Sequence, residues 1–243
     1  MIDDEGSDPV TLSRFETTEA LYDHAAGLFV RIGAGAIEAR GRFLVALSGG
    51  QTPRPLYERL GSPAYSLDWQ KVGVFWADER SVPPTDPRSN YRAAREVLLD
   101  RVSVPPDQIH RVEGELDPLA AADAYEVELH RVFGADGRLD LILLGIGADG
   151  HTASLFPRHQ ALTETERWVV PVHTSAEPPW RVTMTLPLIN NARHVLFLAT
   201  GTEKAAAVRD VVDGKPLPAS LVRPADGTVA FLIDEEAASL LST

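Results

Sequence analysis

The sequence contains no cysteine, two methionines and no long apolar run. Without cysteine there are no disulfides, thiolate zinc sites, iron–sulfur clusters or cysteine nucleophile. The longest apolar runs reach about six residues, against the roughly 20 that a spanning helix needs. The first ten residues are acidic and polar, with neither a basic n-region nor an apolar h-region, so the expected location is cytoplasmic. Positive charge is also scarce, with 23 Lys+Arg against 35 Asp+Glu and a formal net charge of −12. Such a field repels phosphate-rich polymers, which argues against nucleic acid or an anionic membrane as partner. A small anionic ligand senses only local charge and stays compatible.

What is present fits an ordinary globular chain of 243 residues, 44% hydrophobic and 24% charged. That length suits one domain over 1–243, with 1–13 read as a loose acidic tail. From Thr18 the apolar positions Leu21, Ala25, Leu28, Phe29, Ile32 and Ala36 recur at helical steps, with Thr18 as cap. Strands are predicted at Phe43–Leu47, Val72–Trp76, Leu139–Leu144, Val169–Val172, Val182–Leu186, Val195–Ala199 and Val229–Ile233. Helices are predicted at Pro53–Leu60, Ser89–Leu99, Asp117–Phe133, Thr202–Val212 and Glu235–Leu241. This alternation predicts an α/β fold, Rossmann-like, with a mainly parallel sheet covered by helices on both faces. Ligands of such folds bind beyond the carboxyl ends of the strands, so the loops there carry the functional reading.

Four such loops stand out. Ser48-Gly49-Gly50-Gln51-Thr52-Pro53 leaves a strand and opens a helix, an arrangement that can cradle an anion with main-chain N–H groups. Asp78-Glu79-Arg80 places three charges on the same rim, followed by a proline-rich stretch to Asn90 of the kind that forms lids. Gly145, Gly147 and Gly150 have dinucleotide-fingerprint spacing, but Pro157 cuts off the long helix which that motif requires. The same turn carries Asp149 and His151, and an imidazole there can act as a general base. Finally, Arg181 opens a strand and Lys204 opens a helix, where the dipole disfavours a cation unless an anion sits beside it. No H-E-x-x-H, Walker or G-x-S-x-G pattern occurs, and no metal or cofactor is expected.

Together, Leu47–Pro53, Asp78–Pro83 with Ser89-Asn90-Tyr91, Leu144–Pro157, and Arg181–Thr185 with Gly201–Ala205 resemble the 6-phosphogluconolactonase family. The stretches follow the family's order, and Asp149-Gly-His-Thr-Ala-Ser-Leu-Phe-Pro157 is the most specific. Gln51 departs from the small hydroxyl residue more usual there. The resemblance implies a sugar-phosphate isomerase/deaminase-like fold and metal-free hydrolysis of 6-phospho-D-glucono-1,5-lactone to 6-phosphogluconate; a monomer or weak homodimer is expected. It implies His151 as general base, Asp149 as its orienting partner and Arg80 as a cation for the oxyanion or phosphate. Ser48, Gly49, Gly50, Thr52, Arg181 and Lys204 would hold the phosphate, and Asp78 and Asn90 would contact sugar hydroxyls or position Arg80.

Two rivals differ in class. The glucosamine-6-phosphate deaminase branch of the fold would have an Asp-Glu-Tyr-type sequence at 78–80 and a carboxylate soon after the histidine, where this chain has Thr152–Pro157. A non-catalytic sugar-phosphate-binding domain would bind without reacting. The acidity itself is uneven. Residues 1–24 carry seven acids and one arginine, and residues 113–128 carry six acids and no base. Residues 181–209 carry four bases against one acid, so a locally positive pocket is expected within an acidic protein.

Overall fold

The computed structural model describes residues 10–134 and 137–242. Six parallel strands form the main sheet: β1 (Val10–Phe15), β2 (Phe43–Leu47), β3 (Val72–Trp76), β5 (Leu141–Gly145), β8 (His194–Ala199) and β9 (Thr228–Asp234). Their order across the sheet is β1-β9-β8-β5-β2-β3. A second, antiparallel sheet, ordered β4-β7-β6, joins β4 (Asp78–Arg80), β6 (Val169–His173) and β7 (Trp180–Met184). The predicted strands at 169–172 and 182–186 therefore leave the parallel sheet and build this smaller one. The stretch 78–80, read as loop, is its third strand.

The main sheet is covered on both faces because its strands alternate. In β2, Phe43, Val45 and Leu47 pack on one side with Leu21, Ala25 and Phe29 of α1 (Thr18–Arg40) and Leu56 of α2 (Arg54–Leu60). Leu44 and Ala46 pack on the other with Ala121, Tyr125 and Leu129 of α4 (Pro118–Phe133) and with β6 and β7. A buried parallel strand sees apolar side chains on both faces, so its sequence reads as an unbroken aliphatic run. Helix α1 is capped by Thr17, whose hydroxyl accepts from Ala20 N–H at 3.1 Å, one residue ahead of the predicted cap Thr18. Such a cap is worth about 1 kcal/mol.

Three further expectations change. Residues 10–13 of the supposed tail belong to β1, which pairs with β9 from Val10↔Val229 to Phe15↔Asp234. Residues 1–9 lie outside the described residues. The predicted helix 235–241 is a series of turns: after one helical bond, Ala238 N–H to Asp234 C=O at 2.9 Å, Ser239 N–H and Leu241 N–H each bond the carbonyl three residues back, Glu236 and Ala238. The predicted helix 89–99 is α3 (Asn90–Ala94) continued by a π-helical turn through Leu99. Helices α5 (Leu186–Ile189) and α6 (Ala205–Val212) complete the set. Among the described residues no helix is long and apolar enough to cross a membrane.

Candidate active site

All parallel strands end on one edge, and a cleft of about 370 Å³ opens there. Ser48, Gly49, Gly50 and Thr52 after β2, Asp78 and Arg80 on β4, Asn90 on α3, His151 after β5, Arg181 on β7 and Lys204 before α6 all line it. Of the residues singled out in the sequence, Asp149 alone is absent from the lining. It lies behind His151 and touches it.

Two tyrosines pin the ends of the first loop. Tyr57, buried in α2, donates to Ser48 C=O at 2.7 Å and accepts from Ser48 N–H at 3.0 Å. Tyr22 of α1 donates to Thr52 C=O at 2.7 Å. Between those anchors, the N–H groups of Gly49, Gly50, Gln51 and Thr52 donate no hydrogen bond to a described residue. A run of free N–H groups is a fixed concentration of partial positive charge. The Ser48 hydroxyl hydrogen is committed inside the protein, to Leu143 C=O on β5 at 2.7 Å. Gly49 must be glycine because a Cβ there would stand 1.8 Å from Asn90 Oδ1.

The opposite wall is cationic. Antiparallel pairing sets Arg80 of β4 directly across from Arg181 of β7. Like charges in that position repel. Neither arginine has an ion-pair partner among the described residues, and the buried Nε of each has no hydrogen-bond partner. Arg80 spends one guanidinium N–H on Arg88 C=O at 2.7 Å, which ties down the 81–89 loop, and Arg92 holds Thr85 C=O at 2.6 Å. That loop, read as a possible lid, is strapped to its surroundings. Burial lowers the Arg181 pKa from its ordinary value; Asp78 pulls it back up and Arg80 adds to the lowering. Lys204 ends a short 3₁₀ turn, Thr202–Lys204, and makes no ion pair with a described residue. The cleft thus collects Arg80, Arg181 and Lys204 against the carboxylates of Asp78 and Glu203. Asp78 is already engaged: Oδ2 accepts from the Ser154 hydroxyl at 2.6 Å and Oδ1 from Asn90 Nδ2 at 3.1 Å.

The third wall is the turn after β5. Gly147 N–H donates to His151 C=O at 2.8 Å, and Gly150 N–H to Gly147 C=O at 2.9 Å, so the turn closes on itself. A Cβ on Gly147 would stand 2.0 Å from His151 Nδ1, so glycine at 147 makes room for the ring. The ring packs against Phe156 with centroids 4.5 Å apart, and Arg181 lies over the other reach of Phe156 at 5.9 Å. Asp149 Oδ1 meets His151 Nδ1 at 2.6 Å and also accepts from His151 N–H at 3.1 Å. Burial raises the Asp149 pKa, but the two hydrogen bonds from His151 outweigh it and hold the carboxyl below its usual value. An ionised Asp149 accepts from a proton on Nδ1, and in the neutral ring of that tautomer Nε2 carries the lone pair. That nitrogen has no partner among the described residues. Ala153, on the cleft wall, holds a left-handed φ of 47°.

Residues 16–231 match the family described as glucosamine-6-phosphate isomerases/6-phosphogluconolactonase. The chain belongs to this family. Among its relatives, the 6-phosphogluconolactonase of Synechocystis sp. is 43% identical over 83% of this chain and 86% of its own length. The human 6-phosphogluconolactonase is 38% identical over 96% of this chain and 95% of its own length. The solved structure of the 6-phosphogluconolactonase from Trypanosoma brucei superposes with a TM-score of 0.85 at 32% identity, covering 96% and 98% of the two chains. A monomeric glucosamine-6-phosphate deaminase shares the family's fold with a TM-score of 0.79 at 26% identity, covering 95% and 99% of the two chains. The fold class read from the sequence is thus that of the family, apart from the separate antiparallel sheet.

The sequence reading passed over three members of the site. Glu79 was grouped with a charged loop, and only its place in a strand turns it away from Asp78 into the protein interior. Ser154 and Phe156 sat inside the recognised motif without a role. Among the described residues, no group of three or more His, Cys, Asp or Glu side chains could hold a metal ion.

Proposed function

We propose that this protein hydrolyses 6-phospho-D-glucono-1,5-lactone to 6-phosphogluconate without a metal, with His151 as general base. The observation that carries the reading is the Asp149–His151 pair at 2.6 Å, which leaves Nε2 free in a cleft whose facing wall is cationic. Nε2 takes a proton from water as the water oxygen bonds to the lactone carbonyl carbon. The bond from that carbon to the ring oxygen then breaks, and the imidazolium returns its proton to the departing ring oxygen. Positioned proton transfer of this kind is worth about 10²–10⁴-fold.

The phosphate belongs with the free N–H groups of 49–52 and with Lys204 and Arg181. These offer charge-assisted donors to a dianion that the rest of this acidic chain would repel. Arg80, set across from Arg181 with its Nε likewise without a partner, adds a third cation to the phosphate side of the cleft. Asp78 and Asn90, bonded to each other, hold this wall in shape and present their remaining lone pairs to sugar hydroxyls.

The deaminase reading is disfavoured by Thr152–Pro157, which brings no second carboxylate to the histidine turn. A coupled assay that generates the lactone and follows its loss against spontaneous hydrolysis tests the proposal, with EDTA-treated protein alongside. Ammonia release from glucosamine 6-phosphate with no lactone turnover would favour the rival. Ligand binding with neither reaction would favour a non-catalytic role.

A further inference from the structure

Glu79 is 2% exposed and carries a carboxylate next to the cleft without lining it. Both its oxygens are fully engaged, by Arg80 and Asn90 of the cationic wall and by Ser89 and Tyr91 beside it. Oε1 accepts from Arg80 N–H at 2.7 Å and Asn90 N–H at 2.8 Å. Oε2 accepts from Tyr91 N–H at 2.8 Å and the Ser89 hydroxyl at 3.1 Å. The carboxylate thus clips the strand bearing Arg80 to the first residues of α3. Asn90 carries the linkage onward: its Nδ2 donates to Asp78 C=O at 2.9 Å, and its Oδ1 fills the space that a Gly49 Cβ would need. One buried group therefore fixes the spacing between Arg80 and the free N–H groups of 49–52. The turn that holds His151 is closed by its own hydrogen bonds and makes none to Glu79.

We propose that Glu79 is a positioning residue that sets the anion-binding half of the cleft, acting through Asn90 on Gly49 and through the main chain on Arg80, while leaving the proton-transfer half untouched. Burying a carboxylate is costly, and burial does raise its pKa, partly offset by the N–H groups of Tyr91, Asn90 and Arg80. Such a cost at a position that touches no ligand fits a group retained for geometry.

The lactonase reading underlies only the kinetic half of the test. Inorganic phosphate binding by calorimetry is the half independent of turnover. In Glu79→Gln the Tyr91 N–H loses its charged acceptor, and the phosphate Kd and the lactone KM are expected to rise about tenfold. The kcat and its pH profile are expected to stay within about twofold of wild type. A lowered Tm with unchanged Kd and KM would reduce Glu79 to a stability role and overturn the proposal. A displaced pH profile or a collapse of kcat would make it part of the proton transfer and also overturn it. Glu79→Asp keeps the charge but shortens the reach, so it should weaken binding as much as Gln; wild-type binding in Asp would mean that charge alone matters. If Glu79→Gln does not fold, Asn90→Ala breaks the link with Glu79 in place, and an unchanged phosphate Kd there refutes the proposal. A wild type that binds phosphate without hydrolysing lactone defeats the lactonase reading while the Kd comparison still decides Glu79. A wild type that does neither defeats both.

Discussion

The two faces of the cleft are built on opposite plans. The His151 turn is held largely by its own chain: two glycine N–H groups close it, Gly147 makes space for the ring, and the Asp149 carboxylate meets Nδ1, with one outside bond from Ala219 N–H to Gly150 C=O at 3.1 Å. The cationic wall is assembled from distant pieces, with Arg80 and Arg181 brought together by strand pairing and braced by Glu79, Asn90, Asp78 and Ser154. The first plan suits a group whose protonation state must be exact. The second leaves two facing guanidinium groups without an ion-pair partner, a repulsion that Asp78 offsets in part and an anionic ligand would relieve further. Chemistry and binding should therefore separate on mutation.

The sharpest way to break that separation is His151→Ala. A kcat loss of about 10²–10⁴-fold with KM largely kept is expected in the steady-state lactone assay. Asp149→Asn should cost less, about tenfold or more in kcat, because the amide frees the ring to choose the wrong tautomer. If Asp149→Asn altered KM instead, the two faces would not be independent. On the other wall, Arg181→Ala should raise KM and the inhibition constant for phosphate about tenfold or more, as expected for loss of a charge-assisted contact. Lys204→Ala should act in the same direction with a smaller effect, since its half-buried ammonium offers a single point charge where Arg181 offers a fork of donors. Unchanged phosphate inhibition in both variants would remove the binding role from this wall.

The smallest expected effect guards the others. His110 and His194 both have pKa values lowered, first by burial. Each binds a proton more readily in the unfolded chain, so stability is complete above the ordinary histidine value and drains away as pH falls below about 6.5. A modest fall in Tm between about pH 7.5 and 5.5 is expected. An acid loss of kcat can be assigned to His151 only at temperatures below that lowered Tm. A Tm that is constant over the interval would contradict the burial assigned to these two histidines.

How much of this the sequence discloses depends on how local the signal is. Strands β2, β3 and β5 are short unbroken apolar runs, and the ends of β2 and β5 place Ser48 and His151 without further help. The Asp149–His151 contact spans two residues and was readable as a pair. The separate antiparallel sheet was not, because Val169–His173 and Trp180–Met184 look like any other short apolar strand. The third strand, Asp78–Arg80, which pairs with Trp180–Met184, is three charged residues that no β-propensity would nominate. With that strand unrecognised, the facing of Arg80 and Arg181 and the inward turn of Glu79 were both out of reach. The end of the chain misleads for the opposite reason: residues 235–241 have helical composition, but Ser239 N–H and Leu241 N–H bond the carbonyls three residues back and the segment closes into turns.

The central claim is that a locally closed histidine turn performs the proton transfer while the facing cationic wall holds the anion. Parallel measurement of lactone hydrolysis and phosphate binding in wild type and His151→Ala tests it most directly. The account predicts that His151→Ala loses turnover by at least about a hundredfold and binds phosphate with the wild-type Kd. Near-normal kcat in that variant, or a phosphate Kd that collapses together with kcat, would contradict it.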